Sequence, residues 1–401
     1  MLNKNEQISI ITSFTHLHVH LTTHEFFYKK LIKKYKKISF INIDNLNFSS
    51  KKNLKIPTQI IKKLRNYELI NPKTNKEFLK HFENKKTILI NAFSRYFINF
   101  KIFFLLKKTN CKHIMISNLG SLQGSVTKNA TNDSLENFLK IYINNKIIPK
   151  ILIILGNLNI IPKIDIRFYS NKLVLKRIFS SKITKFLYTK KFFYANKIIE
   201  VNSKIYDEIV EKKIKKNNKY LTLIDQDINY RHKIEENKKI FNKRELAEHY
   251  DKLNYFLSYM KKIFKKPIKV AIHPLYNQKI ISKYLSKYKV VKYKTYDLIN
   301  ESELIINFGS STIAHALLLE KKIITLSSKF VPNSEVYSKK LDLFKIDIFS
   351  FKGITKKKLL QSLNYKNTKL KNYINNYHII DKTIPGYKKI LNNIDILFKS
   401  F

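Results

Sequence analysis

Three short runs in this sequence carry donors and acceptors just where an apolar run breaks. His273-Pro274 follows Val270 to Ile272, Gly309-Ser310-Ser311-Thr312 follows Leu304 to Phe308, and Ser327-Ser328 follows Ile323 to Leu326. Pro274 cannot donate to a ladder, so a strand stops there. Gly309 lets backbone approach a ligand closely. Hydroxyls at the start of a helix, with the free N–H groups of its first turn, suit a phosphate or other anion. Each run alone also reads as plain structure, a serine capping a helix or a proline ending a strand. Together on successive strand ends they favour an anion site.

Two other groups carry chemistry. His16, His18, His20 and His24 crowd one stretch after Ile8 to Thr12. Spacing of two puts His16, His18 and His20 on one face of an extended segment, a geometry open to a metal ion. No acidic or cysteine partner is near in sequence, so a polar loop is the plainer reading and no metal is expected. A histidine also suits general-base work, because its pKa lies near neutral. Asp225, Asp227 and His232 follow Tyr220 to Ile224. Two carboxylates two residues apart can bind a metal or position an acceptor, although such residues more often cap a turn.

The elements that would hold these groups are alternating strands and helices. Around the first three runs the order is strand, helix, strand, helix, strand: Val270 to Ile272, Ile280 to Tyr288, Val290-Val291, a short helix capped by Thr295 with Asp297 in its first turn, Leu304 to Phe308, Ile313 to Leu319, then Ile323 to Leu326. Short βαβ connections call for a parallel sheet with helices on its faces, and ligands bind beyond the carboxyl ends of its strands. The N-terminal part starts the same way: strand Ile8 to Thr12, helix Glu25 to Tyr35, strand Ile38 to Ile43. Further strands are expected at Thr87 to Ala92, His113 to Ser117 and Lys197 to Asn202, and helices at Phe97 to Lys107, Tyr206 to Lys215 and Lys243 to Phe264. The strand ends at Asn91 and Asn118 are expected to line one cleft, while Gly120 and Gly124 are too sparse for a phosphate cradle. Lys172 to Tyr194 mixes basic with aromatic and aliphatic residues, a pattern of interfacial helices and of outer α/β helices alike.

The segment from 270 to 328 resembles the donor half of bacterial GT-B glycosyltransferases that make surface polysaccharide. It is similar to the His-Pro plus Ser-Ser/Thr pattern of sialyltransferase and Kdo-transferase families. The resemblance implies two Rossmann-like α/β domains with mainly parallel sheets facing a central cleft. It implies donor contacts at His273 and at the serine/threonine pair within Ser310, Ser311 and Thr312, to which Pro274, Thr295 and Gly309 are added as donor-side candidates; it implies a nucleotide-sugar co-substrate (sialic acid or Kdo on CMP), a glycan or lipid-linked acceptor, and inverting transfer without metal or other cofactor. About sixty residues carry it, with a weaker match back to Tyr220. The acidic-acidic-Gly motif that supplies the base in sialyltransferases is absent. The base therefore stays open among His16, His18, His20, Asp225 and Asp227. The domains implied are 1–210 on the acceptor side, 219–355 on the donor side, and helices over 356–401 crossing back to the first. A sugar-nucleotide 2-epimerase of the same architecture is the nearest rival, but its Ser-Gly-Gly loop is replaced here by Gly-Ser-Ser-Thr.

At 401 residues with 44% hydrophobic content, the chain supports two cores. One cysteine, Cys111, excludes a disulfide framework; its context reads as a loop leading into a strand. The net charge is +49, yet only six of 78 basic residues are Arg. Codon bias and attraction to anionic lipid account for this better than nucleic acid does, since base readers lean on Arg and no nucleic-acid signature is present. A non-catalytic basic protein binding membrane or nucleic acid is the rival from another class. With a polar start and no apolar run approaching 18 residues, a cytoplasmic protein is expected, peripheral on the inner membrane face.

Overall fold

The computed structural model describes residues 5–12, 25–35, 38–43, 46, 67–91, 100–117, 151, 154–155, 158–160, 162, 164–170, 195–212, 217–225, 228, 241–272, 277–310, 312–331, 341, 343–363 and 368–401. These form two compact units, and the chain passes from unit 1 to unit 2 after Glu208 and returns from Asn376 onward.

Unit 1 is built on a seven-stranded sheet: β1 (Glu6–Thr12), β2 (Ile38–Asn42), β3 (Glu68–Ile70), β4 (Lys86–Asn91), β5 (Cys111–Ser117), β6 (Ile164–Tyr169) and β7 (Ala195–Glu200). The spatial order is β3-β2-β1-β4-β5-β6-β7 and every pairing is parallel. Strands in such a sheet are buried on both faces, which is why β1, β2 and β4 read as near-continuous apolar runs. Its helices are α1 (Glu25–Tyr35), α2 (Asn75–Lys80), α3 (Phe100–Lys107) and α4 (Lys204–Glu211). On one face Ile8, Ile10, Phe40, Ile88 and Ile90 pack with Phe27 and Leu31 of α1. On the other, Ile11, Ile41 and Leu89 pack with Phe78 and with Ile102, Leu105 and Leu106 of α3. A buried polar ladder crosses this second face, where Ser9 Oγ lies 2.9 Å from Ser39 Oγ and 3.0 Å from His81 Nε2.

Unit 2 has a six-stranded sheet: β8 (Tyr220–Ile224), β9 (Ile268–Ile272), β10 (Lys289–Lys292), β11 (Ser302–Asn307), β12 (Lys322–Ser327) and β13 (Lys345–Asp347). The order is β10-β9-β8-β11-β12-β13, again all parallel. Between the strands run α5 (Lys243–Phe264), α6 (Gln278–Tyr284), α7 (Thr295–Asn300) and α8 (Ile313–Leu318), and after β13 come α9 (Lys356–Leu363) and α10 (Thr368–Tyr377). The long α5 starts on a capping box, Asn242 with Glu245, and buries Tyr250, Leu253, Leu257, Met260 and Phe264 at helical spacing against the sheet.

The last helix, α11 (Gly386–Lys399), belongs to unit 1 and buries Tyr387, Ile390, Leu391, Ile394 and Leu397 in the α1 face of the core. Its start is held by residues just after β7. Buried Asp207 accepts the N–H groups of Gly386 at 2.9 Å and Tyr387 at 2.7 Å. Asn202 accepts from the N–H groups of Ile380 and Asp381 and donates back to the Asp381 carbonyl.

Several expectations shift. Cys111 is the first residue of β5 rather than a loop residue, and burial pushes its thiol up to about 12, so it is inert. The α4 helix begins at Lys204, two residues before Tyr206, because Ser203 accepts the N–H of Tyr206 and starts the turn early. The short edge strand β3 and the strand β6 were not anticipated. The basic stretch from 172 to 194 lies outside the described residues, as does Asn118. Among the described residues no helix is long and apolar enough to cross a membrane.

Candidate functional site

In an open parallel sheet the chain leaves β-strands in opposite directions where the strand order reverses, and a crevice opens at that switch point. In unit 2 the reversal falls between β8 and β11. Their register pairs Asn307 with Ile224, so Phe308 and Asp225 are the next residues out of the two adjacent strands. The Gly309 bend and Asp225 therefore follow neighbouring strands at their carboxyl ends.

The turn is well specified. Asn307 is fully buried; its amide donates to the Ile324 carbonyl at 3.2 Å, and its Oδ1 accepts the Gly309 N–H at 2.7 Å. That pull folds the chain sharply at Gly309, whose φ of 86° is a left-handed conformation that a Cβ would strain. Ser310 then accepts the Thr312 N–H on its Oγ at 3.3 Å and the Ile313 N–H on its carbonyl at 3.2 Å. The Ser310 and Thr312 hydroxyls lie 2.9 Å apart. One of them must donate to the other, which leaves a single O–H free to point at a ligand. Ile313, Ala314, Ala316 and Leu317 bury α8 behind the turn and hold it rigidly.

This corrects the sequence reading in two places. The helix was expected to offer several unoccupied N–H groups, but those of Thr312 and Ile313 are taken by Ser310, and α8 is only six residues long. What the turn presents is a hydroxyl pair on a glycine bend. Thr295 was expected to cap α7; it is instead the first helical residue, after an N-cap at Lys294 that makes no side-chain cap bond. Thr295 follows the edge strand β10, and the next residue, Tyr296, packs its ring on His315 of α8 with centroids 4.7 Å apart.

Asp225 is 2% exposed and accepts the hydroxyl of Tyr250 at 3.2 Å. Tyr250 is stacked on Tyr284 with ring centroids 4.9 Å apart. The neighbouring His249 packs against Phe308 and holds Ser328 Oγ at 3.0 Å through Nδ1. Burial lowers the His249 pKa to about 3, so the ring is neutral. Ser328 also accepts the Phe330 N–H, which makes it a turn residue facing the core rather than a ligand group. The sequence reading missed Tyr250 and His249. Their signal was present, since Tyr250 opens the buried stripe of α5, but a stripe of that kind does not announce which member touches a strand end.

His16, His18, His20, Asp227, His232, His273, Pro274 and Ser311 lie outside the described residues. The strands that lead to them are described: β1 and β4 flank the switch point of unit 1, with buried Thr12 and Asn91 at their ends, and β9 lies beside β8. Among the described residues no three His, Cys, Asp or Glu side chains converge on a metal-sized space.

The fold so defined is two Rossmann-like α/β units, each with an all-parallel sheet whose strand order reverses at a switch point. No family model matches the sequence, and no curated protein matches it. Among solved structures it is similar to wall teichoic acid polymerase TagF, at 13% identity and a TM-score of 0.48 over 99% of this chain and 89% of that chain. It is similar to the UDP-GlcNAc 2-epimerase of Methanocaldococcus jannaschii, at 12% identity and 0.49 over 98% and 99%. It is also similar to a glycosyltransferase of Rickettsia africae, at 12% identity and 0.41 over the whole of both chains.

Proposed function

We propose that the chain is a GT-B type glycosyltransferase that moves a sugar from a nucleotide donor to a growing cell-surface glycan. The observation that carries the reading is the switch point of unit 2, where the Gly309 bend and the buried Asp225 follow the adjacent strands β11 and β8, at the place where open α/β sheets bind nucleotides. The hydroxyl pair serves the donor phosphate, and His273 at the end of β9 adds a cationic or neutral N–H donor to it. As the glycosidic bond to the nucleotide breaks, these donors stabilise the charge on the leaving phosphate. Asp225, held by Tyr250, accepts a hydrogen bond from a donor hydroxyl; a carboxylate this deeply buried is placed to position rather than to collect a proton from an acceptor. Proton removal from the acceptor falls to a histidine of the loop after β1, with His16, His18 and His20 the candidates. Displacement from the face opposite the leaving group inverts the anomeric centre. A CMP-linked sugar acid is the donor class suggested by the His-Pro and Ser-Ser/Thr pattern.

The experiment is a thermal-shift screen against CMP, CDP, UDP, GDP and their sugars, followed by chromatography of the nucleotide products. Selective stabilisation by one nucleotide class is expected, because binding to the folded state alone raises stability by mass action. Release of free nucleotide only when an acceptor glycan is added supports transfer. Interconversion of the sugar on an intact nucleotide assigns the epimerase reaction instead.

A further inference from the structure

The fold withdraws two lysines from water and treats them in opposite ways. In unit 2, Lys321 is 8% exposed, and its ammonium donates to three carbonyls, Asn217 at 3.0 Å, Asn300 at 2.9 Å and Ser302 at 2.6 Å. In unit 1, half-buried Lys204 opens α4 directly after the buried Asn202 and Ser203. Its Nζ lies 5.4 Å from the centroid of the Phe27 ring, which belongs to the core and is 1% exposed. Among the described residues this Nζ meets no carbonyl, hydroxyl or carboxylate acceptor.

An ammonium taken from water is expensive unless it is paired. Here burial holds the Lys204 amine well below the usual lysine range, with no opposite charge to offset it. Carboxylates of the same two helices are committed elsewhere. Glu25, at the start of α1, pairs with Lys29 at 2.9 Å, and Asp207 of α4 accepts the N–H groups of Gly386 and Tyr387. The position is also informative. Phe27 lies in the first turn of α1, which follows β1, and Lys204 follows β7. Helices that follow parallel strands start at the carboxyl end of the sheet, the edge on which open α/β sheets bind ligands.

We propose that Lys204 is the cationic contact of an anion site in unit 1, and that the ligand it takes carries a phosphate or diphosphate group. A lone lysine is a compact point charge, which suits phosphate, whereas planar carboxylates are better matched by the fork of an arginine. The bound anion supplies the acceptors that the chain withholds. A lysine that merely covers a ring with its stem keeps its ammonium in water, and this one is desolvated. The proposal does not depend on the transferase reading.

The test is thermal unfolding of the full chain in pyrophosphate, with sodium acetate at matched ionic strength as the control, followed by hydrogen exchange with and without pyrophosphate. The wild type is expected to melt later in pyrophosphate, and the first turns of α1 and α4 to exchange more slowly. Lys204→Met is expected to melt no earlier than the wild type when no anion is present, because it removes an unpaired charge at similar volume. It should need about tenfold more pyrophosphate, or more, for the same shift. Ser310→Ala/Thr312→Val should keep the protection at α1 and α4, which separates this site from phosphate held in unit 2. An equal pyrophosphate response in the wild type and Lys204→Met overturns the proposal, since it assigns the effect to screening of a chain of net charge +49. An equal response to acetate, or no protection at α1 and α4, overturns it too. So does a Lys204→Met chain that melts earlier without anion, because the fold itself would then satisfy the ammonium.

Discussion

Replacing Asp207 by Asn should loosen the return of the chain into unit 1. The carboxylate is 3% exposed and accepts two N–H groups, Gly386 at 2.9 Å and Tyr387 at 2.7 Å, at the open end of α11. Pro385, at the N-cap, makes no side-chain cap bond of its own, so this anion is the cap. A hydrogen bond to a charged group contributes about 1.5 to 3 kcal/mol, and a favourable helix-end charge up to about 2 in a partly buried site. The two effects overlap, so the loss lies at about 2 to 4 kcal/mol rather than at their sum. Asn keeps the shape and one acceptor but turns an NH₂ toward an N–H. There is no slack to relieve the clash, since a Cβ on Gly386 would already stand 2.8 Å from the Asn202 backbone N and O. Because a protein of two units need not unfold in one step, the assay is native-state hydrogen exchange at Gly386, Tyr387 and the first turn of α11. Faster exchange there, matching that energy range, is expected, with β8 to β12 unaffected. A change below about 0.5 kcal/mol, the range of ordinary surface substitutions, would refute the claim that a buried anion locks this helix start.

Other outcomes follow from the same contacts. Ser310→Ala/Thr312→Val should lower stability by about 1 kcal/mol through the lost turn bond, and should separately weaken nucleotide affinity by about tenfold or more; calorimetric titration of the folded variant reads the second effect apart from the first. Tyr250→Phe removes a buried hydroxyl from Asp225 and should cost about 1 to 3 kcal/mol in a denaturant titration followed by circular dichroism. Stability should fall as pH drops below about 6.5 toward 4. Burial holds His113 and His378 at about 4 and His249 and His315 at about 3, with Lys212 and Lys321 adding to the effect at His315. Their unfolded counterparts titrate near ~6.5, so across that window the unfolded state binds more protons and gains on the folded state as acid is added. A His378→Gln variant that keeps the wild-type slope of stability against pH would contradict this assignment at His378.

The strand pattern was the most legible part of the molecule. Parallel strands buried on both faces write themselves as runs such as Leu304-Ile305-Ile306, and Gly309 marks the break because only a left-handed bend fits there. The order of strands was not legible, since periodicity says nothing about which neighbour a strand chooses; that order is what makes β8 and β11 neighbours, so that Asp225 and the Gly309 bend follow adjacent strands. The fine chemistry of the bend was misjudged for a physical reason. A serine two residues before the N-cap of a helix competes for the first N–H groups, and here Ser310 takes those of Thr312 and Ile313 before any ligand arrives. The strands β3 and β6 escaped notice because one is three residues long and the other, Ile-Asp-Ile-Arg-Phe-Tyr, alternates polar with apolar near the sheet edge.

The central claim is that unit 2 binds the nucleotide of a sugar donor at the β8–β11 switch point. Isothermal titration of the full chain with CMP, CDP, UDP and GDP tests it directly. The account predicts saturable binding of one nucleotide class at one site per chain, weakened in the folded Ser310→Ala/Thr312→Val variant. Absence of binding to all four, or binding that the variant leaves unchanged, would contradict it.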